Sequence, residues 1–303
     1  MTATVAERRF QGVDALELRS GALRASFLPD VGMTGVSLRR GRKEFLALPG
    51  GVAALRQGHT SGLPLLAPWA NRLASRRYRA DGITVDVRGR RVHTDANGLP
   101  IHGLLVGWPD WEITSTRARR DVARMTATTI VDAPAFPFPH LLEVAVALHD
   151  DRLVIDTTLV ATGPRKVPVA FGWHPYLRVP GTPRSQWQLT LPARRHLTLD
   201  DRGVPTGASA RETAEQEVVG RRTFDDLYAL GRDHRLAFTG DDGTSIEVRG
   251  DAHYPYAQVW VPAGKPFAAL EPMTVPTNAL ADGNTHLVPP GDSFTASFSI
   301  TPT

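Results

Sequence analysis

Four segments of this chain set an ionisable or amide side chain inside an apolar, turn-bounded run. They are Leu63-Pro-Leu-Leu-Ala-Pro-Trp-Ala-Asn71-Arg72-Leu73, Gly98-Leu-Pro-Ile-His102-Gly103-Leu104, Phe171-Gly172-Trp173-His174-Pro175-Tyr176-Leu177 and Leu270-Glu271-Pro272-Met273-Thr274. A charge among apolar neighbours is expensive to bury unless paired, so each is either a satisfied core group or a site group with a shifted pKa. Imidazole and carboxylate together supply an acid and a base that work near neutral pH, each positioned proton carrier giving typically about 10² to 10⁴-fold. Taken singly, every one has a structural reading. His174 can be a core histidine beside Tyr176, Glu271 a strand-end carboxylate accepting backbone N–H groups, and Arg72 the ion-pair partner of Asp225 or Asp226. Gly103 can serve only a turn, or can let a backbone or a ligand come close to His102.

Other chemistries lack their residues. There is no G-x-S-x-G elbow, no P-loop, no H-E-x-x-H and no G-x-G-x-x-G opening a helix. With no cysteine, disulfides, thiolate nucleophiles and zinc-thiolate sites are excluded. His149-x-Asp151 is a weak metal pattern, but it falls in an expected hairpin turn and reads as solvated, so no metal is expected. The net charge is +4 with basic residues spread along the chain, and only three of the 35 are lysine. That distribution points to a solvated surface and not to nucleic acid. The opening residues have no apolar h-region and no stretch of about 18 apolar residues follows, so the expectation is a cytoplasmic chain with no membrane partner.

The elements that must hold these residues are strands. Period-two alternation recurs at Leu23, Ala25, Phe27; at Ile83, Val85, Val87; at Leu142, Val144, Val146, Leu148; and at Phe294, Ala296, Phe298, Ile300. His149-Asp150-Asp151-Arg152 and Asp241-Asp242-Gly243 lie between such runs and read as hairpin turns. No window carries a 3.6-residue stripe, and 27 glycines with 24 prolines punctuate the chain. The expected fold is all-β, a large antiparallel β-sandwich with minor helix and a single domain over 1–303, both inner faces supplying the core. Residues 180–222, rich in Arg, Pro and Gly, are expected to leave the main sheets.

In order and spacing, the four segments together resemble the aldose 1-epimerase (galactose mutarotase) family. Its landmarks are an Asn-Arg pair, a His-Gly, a His-Pro-Tyr after a long strand, and a Glu-Pro near the C-terminus. A fifth landmark, an Asp after Phe or Tyr, matches best at Asp225, with Asp226 as the alternative. The resemblance runs from about Ala22 to the last strand pattern and implies the galactose mutarotase-like supersandwich and an isomerase activity, interconversion of the α and β anomers of a free aldose such as glucose or galactose. It implies Glu271 as base, His174 as acid at the ring oxygen and His102 as a second donor there. It further implies Arg72 and Asn71 as the Asn-Arg pair of the sugar site, and Asp225 as acceptor from sugar hydroxyls. Among Trp69, Trp173, Tyr176 and Trp260, aromatics that could stack on a sugar, Trp173 is singled out as neighbour of the acid, and Tyr176 completes the His-Pro-Tyr.

Ring opening takes a proton from the anomeric hydroxyl and gives one to the ring oxygen; the aldehyde rotates and recloses. No electron sink or hydride acceptor is involved, so no cofactor is expected. The expected partner is a small-molecule sugar, and the chain a monomer or homodimer. Alternatives are a hexose-6-phosphate or other modified-hexose mutarotase, a non-catalytic sugar-binding sensor, and a glycoside hydrolase using two carboxylates.

Overall fold

The computed structural model describes residues 2–303, of which 54% are strand and 4% helix. The alternation read from the sequence becomes two large antiparallel sheets. One has nine strands. Its middle runs Ser245–Gly250, Ser293–Pro302, Leu153–Ala161, Phe136–Leu148 and Val122–Ala133, each hydrogen-bonded to the next. Along Leu153–Ala161 every odd residue is buried and every even one only partly so, the signature of a strand with one face on a core. The predicted turns close its hairpins. Leu148 pairs with Leu153 across residues 149–152, and Thr239 with Ser245 across residues 240–244.

The second sheet has eight strands and carries the site. Its centre is Phe224–Leu230, Tyr256–Val261, Ala268–Met273 and the short Gly172–Trp173, in that order. All six residues of Ala268–Met273 are buried, so this strand is covered on both faces. Ala268 and Leu270 join the main apolar core, while Glu271 points to the other side. Burying that carboxylate costs several kcal/mol. A buried Leu such as Leu270 returns about 1.5–3 kcal/mol, so a few of its neighbours offset the charge.

One sequence expectation needs correction. Residues 180–222 do not leave the main sheets. Gln188–Leu191 and Glu215–Val218 extend the nine-stranded sheet at its edge, and Arg194–Leu199 and Pro205–Glu212 extend the eight-stranded one. The outermost two, Glu215–Val218 and Pro205–Glu212, are largely exposed and open along one backbone edge, so their polar composition reads as loop. The Leu23, Ala25, Phe27 strand lies in neither main sheet. It belongs to a five-stranded meander built from residues 4–44, and Ile83–Asp86 forms a separate hairpin with Arg77–Ala80.

Candidate active site

Strand alternation selects what faces the site. On Tyr256–Val261 and Ala268–Met273, Gln258 lies directly across from Glu271 and Trp260 across from Ala269. On Phe224–Leu230, Asp225 pairs with Trp260, which puts Asp225, Trp260, Gln258 and Glu271 along one open cleft of about 160 Å³. Asp226, one residue on, points the opposite way and meets His196 Nε2 at 3.3 Å. Of the two aspartates, Asp225 is therefore the one on the cleft.

His174 enters from the edge of the same sheet. Gly172–Trp173 pairs with both Leu65–Leu66 and Met273, and the His174 N–H donates to Pro64 O at 3.1 Å. A Cβ on Gly172 would lie 2.8 Å from Pro272 O, so only glycine lets the two strands meet. Pro175 holds the residue before it extended, and Tyr176–Leu177 then pairs back onto Ala268 and Ala269. His174 Nε2 ends 3.2 Å from Glu271 Oε1, both groups almost wholly buried. The Tyr176 ring stacks on the imidazole at 4.5 Å, and its hydroxyl shares a 2.7 Å hydrogen bond with Thr60 Oγ1. Trp260 stands edge-on to both rings at 5.6 Å.

Asn71-Arg72 and Ile101-His102 reach the cleft as crossing loops. Arg72 bridges to Ile101, Ala67 to Gly103, and the His102 N–H donates to Asn71 O at 3.0 Å. Asn71 and His102 take φ of 54° and 62°, a left-handed conformation that disfavours most side chains. Gly103 is explained by backbone and not by ligand, since its Cβ would sit 2.2 Å from Ala67 O. His102 lies edge-on to His174 with ring centroids 5.5 Å apart. Arg72 Nε donates to Asp95 Oδ2 at 2.8 Å and Nη1 to Asn71 Oδ1 at 3.1 Å, while Nη2 lies 3.9 Å from Asp225. Its closest ion pair is thus with Asp95, while the expected pair with Asp225 is present at longer range.

Burial sets the proton affinities. Desolvation lowers His174 to about 3 and raises Glu271 well above the usual carboxylate range, the nearby Asp225 adding to the latter and Arg72 opposing it. His102 is lowered as well, first by desolvation and then by His174. Burial likewise raises the Tyr176 phenol to about 12. Glu271 Oε2, His174 Nδ1, His102 Nδ1 and Gln258 Oε1 are buried with no protein hydrogen-bond partner. Buried polar atoms are normally paired, so this concentration marks the cleft as a place for a polyhydroxylated or otherwise polar ligand.

Asn71, Arg72, His102, His174, Tyr176, Asp225 and Glu271 all line the cleft. Trp173 does not, which corrects the expectation for it. Neighbouring strand residues face opposite sides, so Trp173 turns into the inter-sheet core, where Nε1 donates to Thr157 Oγ1 at 3.0 Å and the ring packs on Phe298. Trp69 is fully buried. Asp151, of the weak metal pattern, is paired with Arg152 in its turn.

Four residues of the site were not singled out from the sequence. Gln258 was legible as the i−2 neighbour of Trp260 on one strand face. Thr60, Asp95 and Gly203 carry no such signal. Asp95 accepts from Asn97 N and Leu99 N through one oxygen and holds Arg72 with the other. Gly203, in the turn after Arg194–Leu199, lies so near Arg72 that a Cβ would be 2.9 Å from Nη1.

The aldose 1-epimerase family model matches residues 14–301. No curated protein matches the chain. Among solved structures, a galactose mutarotase-like protein from Clostridium acetobutylicum is 19% identical with a TM-score of 0.88, covering 100% of this chain and 99% of its own. A putative aldose 1-epimerase from Escherichia coli K12 is 17% identical (TM-score 0.76, 99% of each chain). Galactose 1-epimerase from Lactobacillus acidophilus NCFM is 13% identical (TM-score 0.77, 100% and 99%). At these identities the structures testify to a shared fold.

Proposed function

The chain belongs to the aldose 1-epimerase family, and from that premise we propose that it interconverts the anomers of a free aldose, Glu271 acting as base and His174 as acid. The observation that carries this reading is the buried His174–Glu271 pair, 3.2 Å apart at the floor of an open cleft. One proton held between two opposed carriers is what ring opening requires, because the proton removed from the anomeric hydroxyl is matched by one delivered to the ring oxygen.

Without a sugar, burial favours the neutral form of each partner. The imidazolium–carboxylate arrangement holds the same number of protons and differs only by one transfer across the 3.2 Å contact. An anomeric hydroxyl donating to Glu271 stabilises the carboxylate, and a ring oxygen accepting from His174 stabilises the imidazolium. The sugar itself thus draws the pair into its reactive form. His102, kept neutral, offers one further N–H toward the ring oxygen. In this reading Arg72 donates to and Asp225 accepts from the remaining hydroxyls, and Trp260 and Tyr176, which line the same cleft, flank the ring.

The test is polarimetry or proton NMR of fresh α-glucose and α-galactose approaching equilibrium. Wild type speeds the approach without changing the final ratio. Glu271→Gln and His174→Asn each lose roughly 10² to 10⁴ in turnover with the fold intact. Near-normal turnover in either variant removes that residue from the mechanism.

A further inference from the structure

A second cleft, of about 700 Å³, adjoins the acid–base cleft and has a different character. Its lining includes the buried Val106 and Ala135 and the half-buried Leu104 and Trp108, and the Trp108 ring is fixed by Nε1 donating to Thr129 Oγ1 at 3.1 Å. Its rim carries three guanidinium groups, Arg56, Arg90 and Arg91, against one carboxylate, Asp110. None of the three arginines has an ion pair or a side-chain hydrogen bond among the described residues. Their chain neighbours differ, for Arg77 and Arg88 are both neutralised by Asp86. Unpaired arginines lie elsewhere on the surface as well, Arg24, Arg42 and Arg249 among them, but Arg56, Arg90 and Arg91 all line this one cleft.

One layer of residues separates the two clefts. His93 lines the second cleft and packs on Gly58, where a Cβ would come within 2.2 Å of its ring. The His93 carbonyl accepts from Ile101 N at 2.9 Å, and Ile101 and His102 face the acid–base cleft. Thr60, two residues after Gly58, faces it too. The hydrogen bond from Ile101 to His93 thus ties the wall of one cleft to the wall of the other.

We propose that the second cleft binds an oxyanion, a phosphate or sulfate group, either free or carried as a substituent by the sugar held at Glu271 and His174. Guanidinium is the side chain suited to this, since its fork of N–H donors matches tetrahedral oxyanions and remains charged at every working pH. The substituent form rests on the proposed anomer exchange; the free-anion form does not.

Calorimetric titration with inorganic phosphate at low ionic strength, on wild type and on an Arg90→Ala/Arg91→Ala double variant, tests the site. Both positions are exposed, so the fold should be unaffected. Wild type should bind phosphate, more weakly as salt rises, and the double variant should lose roughly tenfold or more in affinity. Anomerisation of glucose and of glucose 6-phosphate then distinguishes the sources. If the anion is a substituent, the phosphorylated sugar has the higher kcat/KM in wild type, and the double variant abolishes that preference without changing the glucose rate. If the anion is free, the two sugars behave alike in both proteins while phosphate binding still requires the arginines. Equal phosphate affinity in the two proteins, with no arginine-dependent preference between the sugars, overturns the proposal. Failure to anomerise either sugar while phosphate binding still depends on the arginines overturns the acid–base reading instead.

Discussion

Burial lowers His174 to about 3 and raises Glu271 well above the usual carboxylate range, so between those two titrations the pair holds one proton. Activity should therefore fall at low pH only when the pair takes a second proton, and at high pH only when it gives up its own. We predict that kcat is level from pH 5 to pH 7, with no limb at the ordinary imidazole value of 6.5; a limb there would show that the two do not titrate as a buried pair. Arg72 acts at the same scale through its support. Asp95→Asn would replace a carboxylate oxygen at 2.8 Å from Arg72 Nε by an amide that cannot accept as strongly. The expected result is a KM raised by about tenfold with a smaller change in kcat, measured by initial rates of anomer exchange. An unchanged KM would mean that Arg72 does not need that anchor.

At the scale of elements, the site is set by which face of a strand a residue occupies and by how closely two loops can cross. Trp173 and His174 are adjacent in sequence and lie on opposite sides of the sheet edge. Trp173→Phe should accordingly lower the unfolding free energy, read by chemical denaturation, by on the order of 1–3 kcal/mol for a lost buried hydrogen bond and lost packing, and leave KM unchanged. A large KM effect would place the indole at the sugar after all. At the loop crossing, Gly103→Ala sets a Cβ 2.2 Å from Ala67 O at a φ of +68°. Strain and overpacking together should cost on the order of 3 kcal/mol, read by chemical denaturation, and displace His102 with the loop. A variant as stable as wild type would show that the crossing has slack.

For the molecule as a whole, the same pair links folding to pH. In the unfolded chain Glu271 and His174 titrate near 4.5 and 6.5. The folded state holds one proton on the pair throughout that window. Below pH 4.5 the unfolded chain binds the extra proton, so the pair's contribution to stability increases as pH rises. Between 4.5 and 6.5 the proton counts match and the contribution is level. Above 6.5 the folded state holds the extra proton, and the contribution declines by about 1.4 kcal/mol per pH unit until Glu271 ionises. Glu271→Gln removes the carboxylate's share, so thermal unfolding from pH 5 upward should show the variant gaining on wild type until Glu271 ionises in the fold. A gap that does not widen would mean that Glu271 is ionised in the folded protein.

The sequence by itself determined the class of fold and most of the cast. Alternation at Leu142–Leu148 and Phe294–Ile300, the turns at 149–152 and 241–243, and a polar group in each of four apolar runs are local signals, and local signals survive in one dimension. Only the tertiary structure decided which residues meet. The left-handed backbone at Asn71 and His102, the strand register that sets Gln258 opposite Glu271, and the pairing of Arg72 with Asp95 as well as Asp225 arise from chain segments brought together across long separations. Thr60, Asp95 and Gly203 were silent for the same reason, being ordinary turn residues until folding sets each against a partner in the site. The edge strands of residues 188–218 were misread because solvent exposure gives a strand the composition of a loop. Residue type reports what a side chain can do, while packing decides what it faces, and with that its pKa, its partner and its role.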